Sequence, residues 1–222
     1  MALAVYTDIV SAVSDYLARS GDSALSNRIP DFIVLAEQRI YYGGEPPYAT
    51  EPLRVKAMEQ RATASIDTAS ASPDYLALPS DYLEMRNLQL NTNPMTTLTY
   101  VTPQELDWLS PGPTTAKPSR YSILGNTIQF SPSPDSNYTV EMEYYKTLGA
   151  LTAPAPSNDL LTTWPGLYLN GTLFEAALYK RDDANMARYF AAFASGLNGA
   201  QRTEKRGRFG GSALTMRPER YA

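Results

Sequence analysis

The sequence predicts an α+β fold: a helical bundle made of N-terminal and C-terminal helices, an antiparallel β domain inserted between its halves, and an extended C-terminal arm. Three observations carry this. Apolar residues recur at helical spacing towards both ends of the chain, they alternate along its middle, and after residue 200 both patterns give way to a run of cations. The expected division is 1–61 for the N-terminal helices, 62–150 for the β domain, 151–200 for the C-terminal helices and 201–222 for the basic arm.

The first helix is marked by Tyr6, Ile9, Val10, Val13, Tyr16 and Leu17 on one stripe, with Thr7 or Asp8 available as a cap and Gly21 beyond its end. A second spans about Ile29 to Tyr42. Pro30 suits its first turn, Phe32, Ile33, Ala36 and Ile40 form its stripe, and Gly43-Gly44 stops it. A third, short helix is expected around Pro52 to Arg61. The period then becomes two. Strands are expected at Ala62–Ile66, Tyr75–Leu78, Leu83–Leu90 and Met95–Val101, with a slip of parity near Asn87 that implies a β-bulge. Thr102 caps a helical turn reaching Trp108. After a Pro-rich loop from Ser110 to Pro118, Tyr121–Leu124 and Thr127–Phe130 flank Gly125-Asn126, a two-residue hairpin turn. Tyr138 to Tyr145 alternates most cleanly, with Tyr138, Val140, Met142 and Tyr144 on one face and Thr139, Glu141 and Glu143 on the other. Beyond a second Pro-rich loop, Leu167, Tyr168, Gly171, Phe174 and Leu178 mark a helix over Trp164–Lys180. Met186, Tyr189, Phe190, Phe193 and Leu197 mark another, begun by Asp182 or Asp183 and ended by Gly199.

Composition narrows the function. The 222 residues contain no Cys and no His, so disulfides, thiolate metal sites and every Ser–His or Cys–His nucleophile are excluded. The usual general base is missing too, and an enzyme is not expected. Neither a cofactor nor a metal is implied. Charged residues are sparse at 19%, while Tyr reaches 16, which suits surfaces that become buried against partners. No run of 18 apolar residues predicts a transmembrane helix, and MALAVYTDIVSAVSDYL lacks the basic start and cleavage site of a signal peptide. Assembly in the cytoplasm and no membrane partner are therefore expected.

Two sets of residues invite chemistry. Glu141 and Glu143 share a strand face and could serve glycan hydrolysis, although a solvated strand face explains them more simply. Asp74, Asp81 and Glu84 sit beside turns, where Asp caps backbone groups. Aromatic side chains could stack on sugars, but most lie on packing stripes, and Trp108 and Trp164 read as packing anchors beside helix starts.

The tail is the remaining candidate site. Arg202, Lys205, Arg206, Arg208, Arg217 and Arg220 face only Glu204 and Glu219, leaving the arm near +4 and the rest of the chain near −8. Gly207-Arg208-Phe209-Gly210-Gly211 lacks the Gly-Lys-Ser/Thr ending of a phosphate loop. An acidic body argues against general nucleic-acid binding and for docking of the arm on an acidic protein surface, with Arg and Phe209 as anchors. The plain alternative is a solvated terminus.

Several segments in order resemble a known family. They are Asp31-Phe32-Ile33-Val34-Leu35-Ala36-Glu37-Gln38-Arg39-Ile40; Leu78-Pro79-Ser80-Asp81-Tyr82-Leu83-Glu84-Met85-Arg86; Pro118 to Ile128 with Ser131-Pro132-Ser133-Pro134; Tyr138 to Leu151 with Glu143-Tyr144-Tyr145-Lys146; and Asn158-Asp159, Trp164-Pro165, Tyr168-Leu169 and Glu175-Ala176-Ala177. Together they resemble the phage head-to-tail adaptor (head-tail connector) family that includes tail tubular protein A of short-tailed phages. The resemblance implies a structural virion protein assembled in the host cytoplasm, whose copies form a ring, commonly a dodecamer, between the portal and the tail tube or nozzle. Genomic DNA would pass through that ring without sequence-specific binding, and the basic arm would reach the portal. A tail-associated carbohydrate-binding or carboxylate-based glycan-processing module is the alternative, and a cellular interaction domain unrelated to virions is a third.

Overall fold

The computed structural model describes residues 3–17, 23–109, 112 and 114–209, the last three as backbone only. In chain order the elements are α1 (Tyr6–Tyr16), α2 (Ser23–Ser26), α3 (Ile29–Tyr42), β1 (Glu59–Ile66), β2 (Tyr75–Ala77), β3 (Tyr82–Leu90), β4 (Thr96–Thr97) and β5 (Thr99–Tyr100). There follow α4 (Pro103–Leu109), β6 (Arg120–Leu124), β7 (Thr127–Ser131), β8 (Tyr138–Lys146), α5 (Asp159–Thr163), α6 (Pro165–Lys180) and α7 (Asp183–Phe209). The α+β class is as the periodicities predict. The chain divides into two compact units, Met1–Ala57 with Leu148–Ala222, and Met58–Thr147.

The first unit is helical and centres on α6, which packs against α1, α3, α5 and α7. From Leu167 to Ala177 nearly every position of α6 is buried, the sign of a helix enclosed on all sides. Close approach is possible at Gly171, where a Cβ would stand 3.0 Å from Ala36 Cβ and 3.1 Å from the Phe193 ring. The helix expected over Trp164–Lys180 is α6, and a separate short helix, α5, precedes it because Pro165 holds Trp164 out of helical geometry (φ −133°, ψ 58°) and then opens α6. One stretch departs from expectation: Gly199 does not end α7, which continues to Phe209. Its start is as expected: Asp182 accepts from the N–H of Asn185 at 3.3 Å and from its Nδ2 at 2.7 Å. These bonds hold the Asp182 carboxyl below its usual range. At α1, Asp8 acts from inside the helix, its Oδ2 accepting from the N–H groups of Ala4 and Val5.

The second unit is a β-sandwich of two four-stranded sheets, ordered β1-β8-β3-β4 and β2-β7-β6-β5. Alternation drives it. Ile66, Leu88, Leu90, Val140, Met142 and Tyr144 from the first sheet meet Tyr121, Ile128 and Phe130 from the second in one core. The bulge expected near Asn87 falls between Met85 and Asn87. The hairpin forms as expected, with Gly125 at φ 59°.

Three expectations fail here. The helix read over Pro52–Arg61 shrinks to a 3-10 turn at Lys56–Met58, since Glu59, Gln60 and Arg61 already pair with Tyr145, Tyr144 and Glu143. The single strand read over Met95–Val101 is two short ones, because the chain changes sheets at Leu98, whose buried side chain joins the core. Finally, β5 runs parallel to β6, while the other pairings between named strands are antiparallel. A crossover containing α4 separates the two, which is the connection a parallel pair needs.

Candidate functional site

The cations singled out in the tail begin on the final turns of α7. One face of those turns is held down: Ala200 is buried, Gln201 Nε2 donates to the Pro52 carbonyl at 3.0 Å, and the Lys56 N–H donates to Glu204 Oε2 at 3.2 Å. These contacts carry the helix through Gly199, overriding the stop that a glycine suggests locally. Away from these contacts Arg202, Lys205 and Arg206 are exposed at i, i+3 and i+4. Arg208 and Phe209 lie on the last turn, and Arg217 and Arg220 lie outside the described residues. What the sequence offered as an extended arm therefore starts as helix, with Arg202, Lys205 and Arg206 exposed along it.

The acid pair of the β unit is not free for catalysis. Arg61 on β1 reaches Glu143 at 2.6 Å and Glu141 at 3.3 Å, and Gln89 Nε2 donates to Glu141 at 3.1 Å. The Glu143 hydrogen bond, with both carboxylate charges, raises the Arg61 guanidinium further above its usual range. Beside this group Arg86 pairs with Glu59 at 2.8 Å and lies 5.5 Å from the Tyr145 ring centre. Glu59, Gln60, Arg61, Arg86, Glu143 and Tyr144 line a shallow cavity of about 230 Å³ on this face. The shared guanidinium ties Glu141 and Glu143 of β8 to the edge strand β1. In the turn cluster, Asp81 Oδ1 accepts from the Tyr144 hydroxyl at 2.9 Å. Burial first, then this bond and the Asp81 charge, pushes the Tyr144 hydroxyl up to about 12. Among the described residues no group of three or more His, Cys, Asp or Glu could hold a metal, and no helix is long and apolar enough to cross a membrane.

Sequence reasoning missed two features. Glu37 sits on the buried stripe of α3, and its Oε1 accepts from the Leu151 N–H at 2.9 Å and the Tyr168 hydroxyl at 3.0 Å. That hydroxyl in turn accepts from Asn158 Nδ2 at 2.6 Å, and Asn158 Oδ1 caps α5 through the Leu161 N–H at 2.8 Å. Burial raises the Glu37 carboxyl, with the two hydrogen bonds opposing it, and burial likewise raises Tyr168 and Tyr41. The signal was present, since position 37 falls between Ala36 and Ile40 on an apolar face. The second feature is Trp108, which is 83% exposed. The expectation of a packing anchor is corrected: α4 buries Leu106, and a residue two positions on points the other way.

An exposed row of cations on a helix and an exposed tryptophan are features of a surface that contacts other proteins. No curated protein matches the chain. The family described as SU10 adaptor protein matches residues 5–217, which takes in both units and most of the basic arm. This chain belongs to the SU10 adaptor protein family, which implies a structural component of a phage virion.

Proposed function

We propose that this chain is a head-to-tail adaptor of the kind found in short-tailed phages, tail tubular protein A included. Its copies form a ring, commonly a dodecamer, with the portal on one side and the tail tube or nozzle on the other. The match of the adaptor family over residues 5–217 is the observation that carries this reading. Genomic DNA passes through the ring without sequence-specific binding, and the acidic body suits a channel wall, since a cationic one would grip phosphates. Assembly takes place in the host cytoplasm.

The arm docks on the portal through Arg202, Lys205, Arg206, Arg208 and Phe209, with Arg217 and Arg220 beyond them. The free face of α7 favours this, because its first three cations are already aligned and lose little freedom on binding. The test is to mix the purified chain with its portal ring and image the mixture by electron microscopy. Truncation after Ala200 would also remove Gln201 and Glu204, which hold the helix to residues 52–56. The triple substitution R202E/K205E/R206E keeps those contacts and is the cleaner probe. The wild type is expected to add a symmetric ring to the portal, and the triple variant to lose it while unfolding at the same temperature. A stable wild-type monomer that ignores the portal would defeat the adaptor reading.

A further inference from the structure

The β-sandwich has four edge strands, and three are blunt. β2 has three residues, and β4 and β5 have two each. β1 is different: it runs for eight residues without Gly or Pro, pairs with β8 along one side, and from Gln60 to Ile66 joins no described strand along the other. Alternate N–H and C=O groups from Gln60 to Ile66 therefore point outward, a row that folded proteins usually shorten, cover or interrupt. Its side chains are unusual for an edge. On the core side Ala62 and Ala64 are only partly buried, and these small residues leave room beside them for larger apolar neighbours. On the other side Arg61 and Thr63 lie next to Glu141 and Glu143, on a unit carrying ten carboxylates against five cations.

A segment with the matching pattern exists in the chain itself. Thirteen residues follow Phe209, and among them Ser212-Ala213-Leu214-Thr215-Met216-Arg217 alternates, with Leu214 and Met216 on one side and Ala213, Thr215 and Arg217 on the other. Six such residues extend about 20 Å, matching the free part of β1. Laid along β1 with Thr215 opposite Thr63, they put Leu214 and Met216 beside Ala62 and Ala64, and Arg217 on the carboxylate-rich face. Both strand directions give this match, and the parallel one also keeps Arg217 away from Arg61.

We infer that residues 212–217 of one copy add as a fifth strand to β1 of the next copy. The inference rests on the ring reading and deepens it: the helical cations Arg202 to Arg208 face the portal, while the segment beyond them links subunits. An edge on one copy and a segment on its neighbour form a head-to-tail contact, the kind that repeats and closes into a ring.

The absence of cysteine makes a clean test. Full-length T63C and T215C chains are mixed with the portal ring, oxidised, and resolved by mass under denaturing conditions, with a parallel sample imaged for rings. The expected result is a disulfide-linked dimer that needs both variants and the ring, with a T63C/T215C double variant giving a ladder of higher multiples. Adding L214D/M216D to the T215C chain should lower the linked yield about tenfold, because two carboxylates would be pressed onto the core margin. Rings without any linked product would overturn the inference and leave the adaptor reading standing. Linkage only within single double-variant chains, unchanged on dilution, would overturn it too, since the segment would then cover its own β1. If no ring forms at all, the reading beneath it fails and the inference goes with it.

Discussion

Glu37 anchors a buried polar network in the helical unit. It is a carboxylate placed among apolar side chains and tolerated because Leu151 and Tyr168 both donate to it. Glu37→Ala leaves two buried donors without an acceptor and should cost about 2–4 kcal/mol in chemical denaturation. Glu37→Gln keeps an acceptor oxygen and removes the charge. Because the folded carboxyl titrates above its ordinary value of 4.5, its stabilising contribution is full below that value and is lost as pH rises through the raised one. Glu37→Gln should remove that decline, so its advantage over wild type grows from pH 4.5 upwards. Tyr144 works in the alkaline range by the same logic. Its hydroxyl holds its proton to about 12, so stability is lost between an ordinary tyrosine's 10 and that value. Tyr144→Phe should flatten part of this loss and cost about 1 kcal/mol at neutral pH through the missing bond to Asp81.

At the level of elements, packing decides what local preference leaves open. Where α3, α6 and α7 meet at Gly171, Gly171→Val would force a side chain against Ala36 and the Phe193 ring, neither of which can swing away. About 1–3 kcal/mol of destabilisation is expected, read as a lower midpoint in denaturant. Elements whose signal is local were legible in the sequence: the stripe and stop of α3, the bulge before Asn87, the turn at Gly125-Asn126. Elements fixed by distant partners were not. The end of α7 depends on Pro52 and Lys56, some 150 positions earlier, and nothing near Gly199 reveals them. The change of sheet at Leu98 and the parallel pairing of β5 are equally non-local. The candidate site was half legible. The cations could be counted from the sequence, but the helix that aligns Arg202, Lys205 and Arg206 could not be seen, and the exposure of Trp108 was misread because a helix this short has no periodicity to judge it by.

For the whole molecule the balance of charge is the governing quantity. With a body near −8 and an arm near +4, the proposed docking of the arm on an acidic partner is expected to be electrostatic. Between 0.1 M and 1 M salt the screening length drops from about 10 Å to about 3 Å. Addition of the chain to portal rings should therefore fail at high salt and return on dilution, followed by sedimentation of the rings. An association indifferent to salt would mean that apolar contacts dominate and that the cations of α7 are incidental. The charge is also unevenly divided, since the β unit holds ten carboxylates against five cations. That unit begins and ends in a particular way: Glu59 at the start of β1 lies opposite Tyr145 near the end of β8, so the chain enters and leaves it through neighbouring strands. A segment whose two ends are side by side can be exchanged for another with the same spacing while the remaining chain keeps its own fold.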